Sequence, residues 1–519
     1  AECDWRFPTA SSRAVASHIR HILCQSYITM SEGNNNTSES MLSKELFYLC
    51  NSWSLSMDRL HKSIQRHGFK PNDPLATDYK FFLRACINKT ITEEIIHWLL
   101  EYFPAAISAT DYIGQSPLHY ACANEGMNLG IVQLLIDAEP NSVGSVDNHG
   151  RMPLHVLRVE DETAELEILR LLIEKCPEAV RHANNRNLLP IHIAANTARP
   201  TEFCRMLIKA FPGSEQIASE TGELPLHYAC HGNTVDTVQY LFKLYPDAVN
   251  HKTVYGMYPI GHAIQRIAYR SAVTNVFEIV KFLLDCDRNV QLQKLRHFSL
   301  LHYTCRYDYN DSNVHYALEV IKEIYDAHPE GIEGDQNKYH QEIAAFLNRE
   351  LAYFYQAKDQ HLMTTPNENG RLPLHTALQN NARIGSIKLL VKGNSTAIKS
   401  PDNSGALPLH IACEHYDSLN VIKYLVGLDA TAVGALDKVG NAALHYACRG
   451  TKYETIALLL EDYNAVFVSK RNAHGKLPLD LLWESSAVKD RESVEYTESV
   501  FRLLRACPGT VMNMINVQK

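Results

Sequence analysis

The sequence predicts an all-α solenoid, a stack of one short helical unit repeated along 519 residues. Three observations carry that prediction. The first is a period. Pro-Leu-His or Pro-Ile-His begins at Pro117, Pro153, Pro190, Pro225, Pro373 and Pro408, with blurred copies at Pro259, Leu300, Ala443 and Pro478. The steps are 36, 37, 35 and 34 from Pro117 to Pro259, and 35 each from Pro373 to Pro478. The second is a turn before the motif, Asp-x-x-Gly at Asp111, Asp147, Asp402 and Asp437. Asp bonds its own backbone there and Gly supplies positive φ. The third is a second apolar pattern after each motif, as in Ile131-Val132-x-Leu134-Leu135 and Val421-Ile422-x-Tyr424-Leu425. No unit of this kind buries its apolar face alone, so neighbours must stack.

Each element has a local reason. Pro sits where the first helical turn tolerates a missing N–H. A short apolar helix follows, then a loop and a second helix. Pro104, Pro140, Pro177, Pro212, Pro246, Pro329 and Pro508 end that second helix, and a small-plus-Val pair such as Ala179-Val180 or Ala248-Val249 leads to the next turn.

This pattern resembles the ankyrin repeat, whose signature is a turn, then T-P-L-H-x-A and two antiparallel helices. The resemblance runs over roughly residues 70–510 as about eleven repeats. It implies an ankyrin-type helical repeat solenoid with short β-turn or hairpin tips and helical caps. The family's Thr before Pro is Leu at 189, 224, 372, 407 and 477, and Ser only at 116. The hydroxyl that the family uses to hold the repeat's His is therefore mostly missing.

Taken in order, residues 1–68 lack the motif and are expected to form an N-terminal helical cap or docking arm. Ser11–Tyr27 and Met41–Arg66 are its helices, joined by a polar linker. Residues 69–334 hold repeats one to seven, the first of them degenerate around Tyr79–Cys86. Repeat three carries an acidic loop, Glu160-Asp161-Glu162, and in repeat seven Leu295–Ser299 replaces the turn. The step to repeat eight is 73 residues, so 335–366 are read as an inserted long helix, centred on Gln341–Gln356. Residues 367–519 hold repeats eight to eleven and a C-terminal cap. In the last repeat Asp480 replaces His, and Val511–Lys519 is expected to fold back.

Composition narrows the function classes. An apolar content of 45% supports a continuous core, and a net charge of −8 argues against general nucleic-acid affinity. No apolar run reaches a membrane span. Of 13 cysteines, Cys122, Cys230, Cys305, Cys413 and Cys448 share one repeat position, a small buried slot that fits a reducing compartment. The expected location is intracellular and cytoplasmic; a start at Ala1 leaves open either loss of the initiator Met or cleavage of an organellar targeting segment.

No catalytic residue, metal ligand or cofactor is expected. His-x-x-Cys recurs five times, and a nucleophilic pair is needed once, while zinc needs four convergent ligands. The resemblance implies instead that this His bonds backbone between repeats. Asp308, Asn310, Ser312 and Glu319 have the spacing of a calcium loop, but Asn313 stands where Gly is needed. Nucleotide-binding and hydrolase motifs are absent.

The resemblance places protein binding on turn tips and on the exposed ends of the first helices. Carried over by position, the tips include Tyr112, His149, Arg151, Arg186, Tyr255, Met257, Arg371, Lys438 and Lys476. The helix ends include Asn124, Arg158, Arg266, Arg306, Tyr307 and Arg449. These positions lean basic in an acidic protein, which suits a protein partner with an acidic segment. Phe346, Tyr353, Phe354 and Tyr355 mark the long helix as a further partner surface. The expected function is a non-enzymatic protein-interaction module or scaffold. The rivals are a structural subunit of a larger assembly and the recognition part of a larger enzyme or channel.

Overall fold

The computed structural model describes residues 38–71, 79–269, 275–286, 294–295, 298–305, 307, 309–310, 313–329, 339–462, 467–485 and 493–506. The expected Ser11–Tyr27 helix, the fold-back of Val511–Lys519, Arg306, and Asp308 and Ser312 of the calcium spacing lie outside these residues. The chain forms two compact units, Ala1–Phe298 and Ser299–Lys519. Described residues are helical apart from turns, loops and one pair of two-residue strands, Lys294–Leu295 and Phe298–Ser299.

A repeat is a tip, a first helix, a second helix and a 3-10 turn. Pro opens the first helix at Pro117, Pro190, Pro225, Pro373 and Pro408. The second helix runs ten residues in most repeats, for example Leu129–Ala138 and Leu419–Leu428. Its apolar pairs, Val132 with Leu135 and Ile422 with Leu425, are buried.

Proline does more here than stop a helix. It starts a short 3-10 helix, as in Pro140–Gly144, Pro177–Val180 and Pro246–Asn250. The residue before Pro is barred from helical backbone; Glu139 stands at φ −144° and Cys176 at φ −142°. The 3-10 turn then drops Ala179-Val180 and Ala248-Val249 into the core. Where Pro is missing the turn survives by capping: Asn394 accepts from Thr396 N–H and Asp429 from Thr431 N–H.

In the first unit the first described helices are Ser38–Cys50 and Met57–His67, and the former packs on Lys80–Ile87. Repeat three departs most. Its first helix, Pro153–Val156, is a single turn. The acidic loop that follows has a local purpose: Asp161 caps the long second helix Glu162–Lys175 by accepting from Ala164 N–H.

In the second unit the helix Gln341–Lys358 packs on the second helix of repeat eight, Ile384–Gly393, and on Val314–Ala327. A buried polar chain joins the three. Tyr325 Oη lies 2.8 Å from Ser386 Oγ, which donates to the buried carboxylate of Glu350 at 2.5 Å. Arg349 donates to the other Glu350 oxygen at 3.0 Å. A buried carboxylate without such partners would cost several kcal/mol, roughly 3–5 when one partner is removed.

Candidate protein-binding surface

The tips are rigid because their backbone groups are used up locally. Asp111 Oδ1 accepts from Ile113 N–H at 2.9 Å and Gln115 N–H at 2.8 Å. Asp147, Asp402 and Asp437 repeat both bonds. Burial opposes the charge on Asp147, Asp402 and Asp437, yet these bonds hold the three carboxyls below their ordinary range. In repeat four Asn184 takes the Asp role and Asn187, at φ 55°, takes the Gly role; Asn tolerates this left-handed backbone better than most residues.

Successive tips are also tied to each other. Within the first unit Asn148 donates its N–H to Ile113 O, Asn185 to His149 O, Glu220 to Arg186 O and Val254 to Thr221 O, at 2.8–3.1 Å. Within the second, Asn403 donates to Asn369 O, Lys438 to Ser404 O and Ala473 to Val439 O. Side chains extend the tie: Asn148, Asn185 and Asn403 amides, and the Lys438 ammonium, each donate to a carbonyl of the preceding tip.

Beneath the tips of each unit lie buried histidines. The Nδ1 atoms of His119, His155, His192, His227, His375, His410 and His445 each accept from the backbone N–H that opens their own helix, at 2.9–3.2 Å. The ring proton therefore sits on Nε2. From there His119, His155, His192, His410 and His445 donate to a carbonyl 25–32 residues on, at 2.9–3.1 Å. The backbone N–H supplies the hold that the missing Thr hydroxyl would give; only Ser116 adds a hydroxyl, 2.8 Å from His119 Nδ1. In the last repeat Asp480 takes the same bond from Leu477 N–H.

The paired cysteines are chemically quiet. Burial pushes the Cys413 thiol to about 12, and raises Cys122, Cys230, Cys305 and Cys448 as well. No group of three or more His, Cys, Asp or Glu is arranged to hold a metal ion among the described residues. At the calcium-like spacing, Glu319 pairs with Lys322, and Asn310 and Asn313 cap each other's backbone.

The family model for ankyrin repeats matches three stretches, residues 82–175, 159–254 and 340–433, together more than half of the chain. The chain belongs to the ankyrin-repeat family. The third match takes in the Gln341–Lys358 helix. No curated protein matches the chain. Ankyrin repeats are in general protein–protein interaction modules, and no described helix here is long and apolar enough to cross a membrane.

Against this ankyrin frame the sequence-derived binding residues separate into three groups. Tyr112, His149, Arg186, Tyr255 and Lys438 are exposed at tips, with Tyr112 79% and Tyr255 60% accessible. A second group is basic but engaged. Arg151 pairs with Asp147, Arg158 with Glu125, Arg371 with Asp402, Arg449 with Glu414 and Lys476 with Glu484. Tyr307 is half-buried and hydrogen-bonded to Tyr303.

In the third group burial takes Met257, Arg266, Phe346 and Phe354 out of the surface. Met257 lies under its tip. Arg266 donates to Asn233 O at 3.0 Å and is 9% accessible. On the long helix, Phe346 and Phe354 are buried, Phe346 edge-on to Tyr325. Tyr353 is half-buried, and only Tyr355, 65% accessible, faces solvent fully. Phe354, Ala357, Leu389 and Gly393 line a cleft of about 430 Å³ with Lys358 and Lys392.

Arg266 exposes a feature that motif reading missed. The last carbonyls of a helix need donors. Here the next repeat provides them across the stack: Asn88 to Cys50 O and Ser52 O, Asn124 to Cys86 O and Asn88 O, Asn233 to Thr197 O. Arg199 serves the short helix of repeat three by donating to Leu157 O. The signal was present as Cys50, Cys86 and Cys122, spaced 36 apart and all buried.

Proposed function

We propose that this ankyrin protein is a non-enzymatic recognition module that grips a protein segment along its tips. The observation that carries this reading is the division of labour at each tip. Backbone donors and acceptors are spent on the tip and its neighbour, so the loops are pre-organised, while Tyr112, His149, Arg186 and Tyr255 remain exposed. A rigid loop loses little entropy on binding, and exposed aromatic and Arg side chains are the types that dominate interface energy.

The partner segment carries carboxylates. In the first unit Arg186 presents positive charge at a tip, and Arg158 is held by an exposed ion pair with Glu125 worth about 0–1 kcal/mol, which an incoming carboxylate displaces at little cost. The test is site-specific photo-crosslinking of the full chain in extract from its source. Probes are placed at Tyr112, His149, Arg186 and Tyr255, and as controls at Gln133, Lys209 and Lys243 on second helices. One protein crosslinked from the tips and not from the controls, and lost in the Arg186→Glu variant, is the expected result. Equal crosslinking from both sets overturns the reading.

A further inference from the structure

We propose, resting on the tip-binding reading above, that the segment gripped by the first unit is a polyproline-II stretch of about 13 residues, in which every third side chain meets one tip. The tips of repeats two to six form a row. Each is tied to the one before by a backbone bond: Asn148 N–H to Ile113 O, Asn185 to His149 O, Glu220 to Arg186 O and Val254 to Thr221 O. The residue that opens a tip turns inward where Asp147, Ser219 and Thr253 are buried. The residue that closes it, Gly114, Gly150, Asn187, Gly222 or Gly256, has positive φ. The pair between them reaches solvent, so that Tyr112, His149, Arg186, Glu220, Val254 and Tyr255 are exposed one tip after another.

The pitch of this row selects the conformation of its partner. Stacked helix layers stand about 8–10 Å apart. Polyproline II turns once in three residues of about 3.1 Å each, a pitch of about 9.3 Å. One turn therefore advances one tip and offers the same face each time. A β-strand also covers a step in about three residues, but its side chains alternate, so successive tips would meet opposite faces. An α-helix needs about six residues per step, which is not a whole number of turns, so its contact face drifts off the row. Aromatic side chains are the usual dock for polyproline-II segments, and Tyr112 and Tyr255 stand at the two ends of the row.

The middle of the row sets the order of charge. Arg186 is followed one tip later by Glu220, and both are exposed. The Glu220 carboxylate takes part in no ion pair among the described residues. The segment thus carries a carboxylate facing Arg186 and, one turn on, a cation facing Glu220. Proline or apolar side chains face the two tyrosines, two turns to either side of the carboxylate.

Photo-crosslinking of the full chain in extract from its source tests this, with the attachment sites on the captured protein mapped by mass spectrometry. The probe is benzoylphenylalanine, placed singly at Tyr112, His149 or Tyr255, and at Lys209 or Lys243 on second helices as controls. The expected sites lie in one continuous stretch and in the order of the tips, with about three residues between those from 112 and 149 and about twelve between those from 112 and 255. Sites that are out of order, in separate segments, or about 20 or more residues apart as a helix requires, overturn the proposal and leave the tip-binding reading standing. Equal capture from tips and controls removes that reading and the proposal with it.

Two further readouts complete the test. In a synthetic peptide of the mapped segment, proline placed between contact positions should keep affinity within about threefold, because polyproline II spends no backbone N–H on internal bonds. Loss of binding on that substitution points to a strand or helix and overturns the conformation. Glu220→Lys should lower capture from the Tyr112 probe about tenfold by repelling the segment's cation. A rise in capture would mean a purely acidic segment and would overturn the charge order.

Discussion

The junction at His410 in the second unit and the one at His227 in the first share a backbone plan and differ in what surrounds the ring. Both rings accept at Nδ1 from the opening N–H, at 2.9 and 3.1 Å. His410 then donates to Ala435 O, stacks on Tyr446 at 4.9 Å and lies within the field of Asp437 and Asp402. His227 Nε2 makes no such bond and faces two further histidines. The repeat thus fixes the Nδ1 bond at both junctions but leaves the surroundings of Nε2 to be set junction by junction.

The sharpest break of that comparison is truncation of the ring. His410→Ala removes a buried ring and two hydrogen bonds, an expected loss of about 3–4 kcal/mol. His227→Ala gives up one bond fewer and costs about 1 kcal/mol less. Urea unfolding of each variant, with hydrogen exchange to localise the loss, checks both. Equal losses would mean the Nε2 bond contributes nothing.

Next comes a position that the two regions share. Gly232 and Gly450 close the first helices of repeats five and ten, and a Cβ on either would collide with a backbone carbonyl of the preceding repeat, Asn196 O or Glu414 O. Gly→Ala at each is expected to cost about 3 kcal/mol, by the same unfolding assay. Gly475→Ala serves as the contrast. Its φ is 74° but nothing lies within 4 Å of the added Cβ, so only backbone strain of about 1 kcal/mol is expected.

A third contrast uses acid. The tip carboxyls of Asp147, Asp402 and Asp437 are held below their ordinary value, so they stabilise the fold above about pH 4 and lose that contribution as pH falls through their folded values. Tips around residues 402–405 and 437–440 should therefore keep their exchange protection from pH 7 to 5 and lose it below 4. The smallest expected effect is at the surface: Tyr112→Ala and Tyr255→Ala should change stability by under about 0.5 kcal/mol while weakening partner binding.

Much of the fold was legible because the repeat is periodic. Pro, Gly and the tip Asp have local meanings that survive in a single sequence. The helix of repeat three, cut to Pro153–Val156, was not legible, since Arg199, which compensates it and pairs with Glu165 of the same repeat, lies 42 residues beyond Leu157 in a different motif frame. The candidate surface was legible by position and not by charge. Position assigned Arg266 to the binding face, but an Arg at a helix end can equally serve a neighbouring carbonyl, and burial decides between them. Likewise Arg151 and Arg371 read as free cations in one dimension and as ion pairs in three.

The account's central claim is that the recurrent histidine is a neutral joint between repeats, which leaves recognition to the tips. Nitrogen-15 NMR of the full chain, labelled only at histidine, tests it most directly. At pH 7 the account predicts neutral rings with the proton on Nε2 for His119, His155, His192, His410 and His445, unchanged when zinc is added. Imidazolium signals, the opposite tautomer, or zinc-shifted resonances at these five would contradict it.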